Sequence, residues 1–285
     1  MLNDPAFLYI ATVFPPIFIG FIIWKSDRFP EPGKFLMASF LLGVSIMLPL
    51  DLLIILAERH LAPLLHIDYR AINDLFLNEI SWDDFKERSS NAYGWMAYDS
   101  FFRAAFLEEG VKFALLLFFC VRLSALNEPM DAIVYGAAIG LGYAAIENVG
   151  YLKSGSFDNA WSLKMVKDRY YPMIMHLSFG VLMGWLLSQN LFEERSVFKR
   201  RLMLILSLSL PVILHGIYNY YGTVDTFPVL ALIFIFLIIY YHRRDQFQYV
   251  TEDRDKEIIK NIDVIYSYLV TIVLVTIIIS SSFLF

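Results

Sequence analysis

Four apolar stretches of this chain carry residues that can do chemistry: Glu108, Glu109 and Lys112 in one, Glu147 and Asn148 in a second, His176 in a third, His215 and Asn219 in a fourth. Carboxylates together with imidazoles can activate water as base and acid, hold a divalent cation, or pass protons and ions along a path. A charged group at membrane depth costs about 2.5–3.5 kcal/mol on insertion scales, so several of them imply one shared polar site.

The elements that must position them are membrane helices. The chain has 285 residues, 58% hydrophobic, with a mean hydropathy of +0.56, above the roughly 45–50% apolar content of soluble domains. Runs of about 20 apolar residues predict an all-α, polytopic membrane helix bundle with about eight transmembrane helices. They are expected near Ala6–Trp24, Phe35–Ala57, Phe101–Val121, Asp131–Leu152, Pro172–Phe192, Leu202–Tyr221, Thr226–Tyr241 and Val264–Phe285. The first span has no basic leader and contains Pro15-Pro16, so it reads as a retained helix rather than a signal peptide. Residues 1–241 are expected to form the helical core, with 58–100 as an extramembrane cap, and 242–285 a basic cytoplasmic linker and a last transmembrane helix. The single Cys120 excludes an intrachain disulfide, and the net charge of -5 without a long basic tract points away from nucleic acid as a partner.

Lys and Arg cluster in alternate loops: Lys25, Arg28 and Lys34; Arg195, Lys199, Arg200 and Arg201; Arg243, Arg244, Arg254, Lys256 and Lys260. One orientation places all three in the cytoplasm. Spans three and five run one way, four and six the other, and that alternation sets the depth of the polar residues. Glu108, Glu109, Glu147, His176 and His215 all fall in one leaflet, at depths of about 7–12 Å by helical rise. In the preferred orientation that leaflet is the outer one.

Helical stripes add direction. Glu108 and Lys112, four apart, share a face, and Glu109 points about 100° away. Gly136, Gly140, Ala144 and Asn148 form a small-residue stripe, His176, Gly180 and Gly184 another, so both helices should pack closely. Ser207, Pro211, His215 and Asn219 stack four apart, and Pro211 cannot donate to the carbonyl of Ser207, which invites a kink. Tyr218, Tyr220 and Tyr221 read as an interfacial aromatic belt.

The pieces Glu108-Glu109-x-x-Lys112, Gly142-Tyr143-Ala144-Ala145-Ile146-Glu147-Asn148, His176 with Gly180, and His215-Gly216-Ile217-Tyr218-Asn219 resemble the PrsW family of bacterial intramembrane proteases, related to the type II CAAX prenyl proteases. The loop Asp27-Arg28-Phe29-Pro30-Glu31-Pro32 also looks like that family's entry loop. Where the CAAX branch has an Arg four residues after its second Glu, this chain has Lys112 three after, and where that branch has Phe-x-x-x-His it reads Tyr143-x-x-x-Glu147. The resemblance implies a multi-pass protease of the bacterial plasma (inner) membrane acting on a membrane-anchored protein or peptide, an anti-sigma factor being one such substrate.

Two adjacent carboxylates cannot both be cheaply charged in a low-dielectric site, and Lys112 would offset one of them. Glu108 and Glu109 are therefore expected to serve jointly as base and acid, while the family resemblance implies oxyanion donors at His215 and Asn219. Expected catalytic residues are thus Glu108, Glu109, His176 and His215, supported by Lys112, Glu147, Asn148 and Asn219. Whether water is activated directly or on a metal stays open; for zinc the candidate ligands are Glu108, Glu109, Glu147, His176 and His215. A proton- or ion-coupled transporter built on the same buried Glu, Lys and His residues is the alternative, although no inverted repeat or paired broken helices are visible. An inactive relative would have no reason to keep such costly buried charges.

Overall fold

The computed structural model describes residues 5–26, 30–68, 70–72, 81–88, 91–123, 125–154, 165–166, 168–192 and 196–221. The expected spans at Thr226–Tyr241 and Val264–Phe285, and the basic linker between them, lie outside the described residues.

The described residues form helices and no strand: α1 (Pro5–Ser26), α2 (Gly33–Leu64), α3 (Trp82–Arg88), α4 (Ala92–Ala97), α5 (Leu107–Phe118), α6 (Pro129–Ser154), α7 (Tyr170–Leu191) and α8 (Val197–Tyr221). Five of them, α1, α2, α6, α7 and α8, are long and apolar enough to cross a membrane. The third expected span is helical too, but as α4, a π-helical stretch at Tyr98–Phe106 and α5 in continuous succession. It carries Arg103, Glu108, Glu109 and Lys112 and so is not among the five apolar helices. The second span runs past its expected end at Ala57 to Leu64.

α6 and α7 form the centre, each with 83% of its spanning segment buried, against 28% for α1 and 22% for α8. The glycine stripes explain how they meet. A Cβ built on Gly136 would lie 2.2 Å from the carbonyl oxygen of Gly180, one on Gly180 2.1 Å from that of Gly136, one on Gly184 2.1 Å from that of Ala132, and one on Gly140 2.2 Å from that of His176. Backbone therefore touches backbone at three successive levels, over about two turns, which only glycine allows. The opposite side of α6 does the same with α2, where Gly43 and Gly142 would collide with the carbonyls of Ile139 and Phe40. The outer faces remain apolar and exposed, as in Ile10, Phe14, Phe18 and Ile22 of α1 and Ile205, Ile213 and Ile217 of α8. Such faces suit hydrocarbon rather than water.

At one end, Asp131 in the first turn of α6 accepts from the amides of Asn127 (2.9 Å) and Glu128 (2.8 Å), satisfying donors a helix start leaves open. Glu31 accepts from Asn127 Nδ2 at 3.2 Å, fastening the connection between α1 and α2 to that same end. Glu147 is sixteen residues further along α6, about 24 Å away. α8 runs unbroken through Pro211, whose helix remains continuous from Val197 to Tyr221. The main packing partners of α8 are α7 and the π-helical stretch, with Gly216 seated against the Phe101 ring, and α5 also lies against it.

Candidate active site

Lys112 is the hub. Only 1% exposed, its ammonium Nζ lies 2.7 Å from Glu109 Oε1 and 2.9 Å from His176 Nδ1, with the Tyr143 ring face 4.1 Å away. Glu108 Oε2 is further off, at 3.8 Å. The expected pairing of Lys112 with Glu108 is present as this longer ion pair, but the nearer partner is Glu109, three residues back. The reason is tertiary, since His176 from α7 and His215 from α8 draw both Glu109 and Lys112 to the inside of the bundle.

The hydrogen bonds fix the imidazole tautomers. An ammonium only donates, so His176 Nδ1 accepts from Lys112, and its Nε2–H donates to Glu147 Oε2 at 3.1 Å. Glu109 Oε1 accepts from Lys112 and also from His215 Nδ1, at 2.9 Å. His215 Nε2 is then left with its lone pair, 4.0 Å from Glu108 Oε2. Two further atoms in this pocket, Glu108 Oε2 and Glu109 Oε2, are buried without a hydrogen-bond partner. Around the cluster, Phe179 stacks on the His215 ring at 5.3 Å and Tyr143 meets His176 edge-on at 4.9 Å.

The structure brings Glu108, Glu109, Lys112, Glu147, His176 and His215 into one connected set. Asn148 is buried beside it, but its Oδ1 accepts from Arg169 Nε at 2.9 Å rather than facing the acids. Asn219 stands one turn beyond His215, half-buried, and takes part in none of these hydrogen bonds. Sequence reasoning missed Arg169, which precedes α7 and pairs with Glu147. A charged residue just outside an apolar span carries no signal that separates a site residue from a loop cation. It also missed Tyr143 and Phe179 as ring walls, and set Tyr218 in an interfacial belt, whereas its hydroxyl is buried and its ring packs beside Met175 and Phe179.

The donor set suits a divalent cation. Glu108, Glu109, His176 and His215 each offer one ligand atom within 4.8 Å of the others, and carboxylate with imidazole is a common zinc combination. The unpartnered carboxylate oxygens and the open His215 Nε2 are the atoms with lone pairs to give, whereas both His176 nitrogens are already engaged. Charge balance agrees: Glu108, Glu109 and Glu147 face two fixed cations, Lys112 and Arg169, leaving one carboxylate for a proton or a metal.

An apolar helical bundle that holds acids and imidazoles in mutual contact below its surface fits a membrane-embedded hydrolytic enzyme. The profile of the "PrsW family intramembrane metalloprotease" matches residues 31–241. A Clostridioides difficile (strain 630) protein named Protease PrsW is 27% identical over 233 residues, covering 81% of this chain and 86% of its own length. The Bacillus subtilis (strain 168) protein of the same name is 27% identical over 211 residues, 74% of this chain and 80% of the relative. One from Geobacillus kaustophilus (strain HTA426) reaches 36% over 124 residues, 44% and 52% respectively. No solved structure matches the chain. The chain belongs to the PrsW family of intramembrane metalloproteases. It is a membrane protein and a protease, and the transporter alternative finds no support in these relatives.

Proposed function

We propose that Glu108, Glu109 and His215 form the hydrolytic centre of this protease, and that it cuts a membrane-anchored protein in the bacterial plasma membrane, an anti-sigma factor cleaved on its extracytoplasmic side being the specific case. The observation that carries the residue roles is the 2.9 Å contact between Glu109 Oε1 and His215 Nδ1, which turns the Nε2 lone pair toward Glu108. That is the logic of a carboxylate orienting a histidine base. Water held between His215 Nε2 and Glu108 Oε2 gives up its proton to one of them as its oxygen attacks the scissile carbonyl carbon. The C–N bond then breaks as the stored proton passes to the leaving amine. Asn219, one turn outward on the same face of α8, is positioned in sequence to donate to the oxyanion.

The extracytoplasmic side rests on the basic loops: Lys25 and Lys34 flank the α1–α2 connection, which Glu31 fastens to the end of the bundle marked by Asp131, opposite the Glu147 end. In the alternative, metal-loaded state zinc would be held by Glu108, Glu109 and His215, with His176 kept on Lys112 and Glu147, and the His215 Nε2 lone pair would then belong to the cation rather than to water. Bound there, a divalent cation supplies a Lewis acid that polarises the carbonyl and acidifies water.

Two outcomes are expected. Purified protein mixed with a single-span substrate should lose cleavage in Glu108→Gln and in His215→Ala; if these and Glu109→Gln all cleave like the parent, the residue roles fail. After chelator treatment, zinc at 100 times its Kd should stabilise the parent by about 2.7 kcal/mol, read as a rise in Tm that vanishes in His215→Ala. An equal rise in that variant would remove the three-ligand assignment.

A further inference from the structure

We propose that Arg169 is a positioning residue for this centre, setting the tautomer of His176 through Glu147 from outside the membrane-spanning helices. The inference deepens the reading of the Glu and His cluster as the proteolytic site and rests on it. Arg169 occupies the turn immediately before α7, with its amide donating to Met165 O at 3.0 Å and its carbonyl accepting from Met173 N at 3.3 Å. From there its side chain crosses to the end of α6 and meets three residues at once. Nη2 donates to Glu147 Oε2, Nε donates to Asn148 Oδ1 at 2.9 Å, and the guanidinium lies 4.1 Å from the centre of the Tyr151 ring. The side chain is 11% exposed, so these contacts are sheltered from solvent competition. A planar fork bridging two acceptors and stacking on a ring is a task for arginine; lysine offers one point charge.

The consequence passes along a chain of bonds. Glu147 Oε2 is shared by Arg169 and by His176 Nε2. The guanidinium holds that carboxylate as a fixed acceptor, so Nε2 carries the hydrogen and Nδ1 presents a lone pair to Lys112 Nζ. Lys112 in turn points a second proton at Glu109. Without the guanidinium, the Glu147 carboxylate is free to swing away, His176 loses its acceptor, and the ring can take the other tautomer. An Nδ1–H would then face the ammonium, donor against donor, and Lys112 would turn from His176 and shift on Glu109, its remaining close partner.

The test uses the full chain in detergent, with histidine labelled by 15N and the His176 signals assigned by their loss in His176→Gln. The parent should show His176 as the single Nε2–H tautomer. In Arg169→Gln the two ring-nitrogen signals should move toward each other as tautomers mix. Glu147→Gln should do the same, the double variant should be no worse than either single, and Arg169→Lys should recover part of the shift. With a cleavable single-span substrate, Arg169→Gln should lower kcat by about 10–100-fold, the usual size for a partner of a site histidine, with KM unchanged. His176 signals in Arg169→Gln and Arg169→Lys that match the parent would overturn the proposal. So would a raised KM at constant kcat, which would make Arg169 a substrate-binding group. The tautomer readout needs no substrate, so a parent that cleaves nothing would count against the proteolytic reading alone.

Discussion

Glu109→Gln is expected to lower proteolysis by about 10⁴-fold, the size seen when the carboxylate that orients a catalytic histidine becomes an amide. Glu109 Oε1 accepts two hydrogen bonds, from Lys112 and from His215 Nδ1. Glutamine offers one oxygen. With that oxygen in the place of Oε1 both hydrogen bonds survive, but the negative charge that offsets Lys112 and steadies a protonated His215 is gone, and the NH₂ group takes the buried place of Oε2. With the amide turned round, two donors meet at Lys112, and Nδ1 of His215 must accept, which puts the hydrogen on Nε2 and removes the lone pair that faces Glu108. Neither arrangement keeps both the charge and the hub.

The same substitution should destabilise the fold, because breaking a buried ion pair from one side costs about 3–5 kcal/mol. The fall should sit at the lower end, since Lys112 retains His176 and a more distant Glu108. A second change, Lys112→Met on top of Glu109→Gln, removes the stranded charge. That double variant should regain much of the lost Tm and none of the activity. Cleavage by Glu109→Gln at a rate near the parent's, in protein with an unchanged Tm, would show that the contact with His215 does no orienting.

The second large effect is expected at a residue without a side chain, where two helix backbones meet. Gly140→Ala would set a Cβ 2.2 Å from the carbonyl oxygen of His176. No side chain can rotate out of the way there, because both parties are backbone. α6 and α7 must part by about 1 Å, and overpacking of this kind costs about 1–3 kcal/mol. His176 rides on the displaced turn, so its 2.9 Å contact with Lys112 and its 3.1 Å contact with Glu147 both open. A 1 Å misplacement costs about 10²-fold in rate. Gly150→Ala is the matched control on the same helix: nothing lies within 4 Å of its Cβ, so Tm should hold or rise slightly with the better helix former. Thermal unfolding and cleavage of the two variants side by side decide the matter. Equal behaviour would mean that the helices do not touch at Gly140.

Much of this was legible in the chain. Depth counted from the span ends put Glu108, Glu109, Glu147, His176 and His215 at one level, and the structure does bring them together. The glycine stripes in α6 and α7 likewise pointed to the close packing that is seen. What helical spacing could not provide was direction across the bundle. A four-residue interval made Glu108 the natural partner of Lys112, yet the side chain turned to Glu109 because two histidines from other helices wait on that side. Asn219 shares a stripe with His215, but a stripe says which residues line one face and not how far along it a neighbour extends. Arg169 was invisible for a related reason: its role depends on the end of α6 lying against the start of α7, a long-range contact that no local pattern encodes. The third span was read from its apolar run and is helical, but the charges that build the site keep it outside the five apolar helices, and its π-helical turns left no mark in the residue pattern.

The π-helical stretch at Tyr98–Phe106 leads without a break into Leu107, Glu108 and Glu109. Its wider turns hold more residues for the same length of helix, so the aim of the acids depends on how many residues precede them. Deleting a single residue there would preserve a helix and most of its apolar character while rotating everything downstream by about 100°. Glu109 and Lys112 would sweep from the histidines toward lipid together. The segment thus acts as a phase setting for the site: beyond what its side chains contact, its length in residues fixes where the acids point.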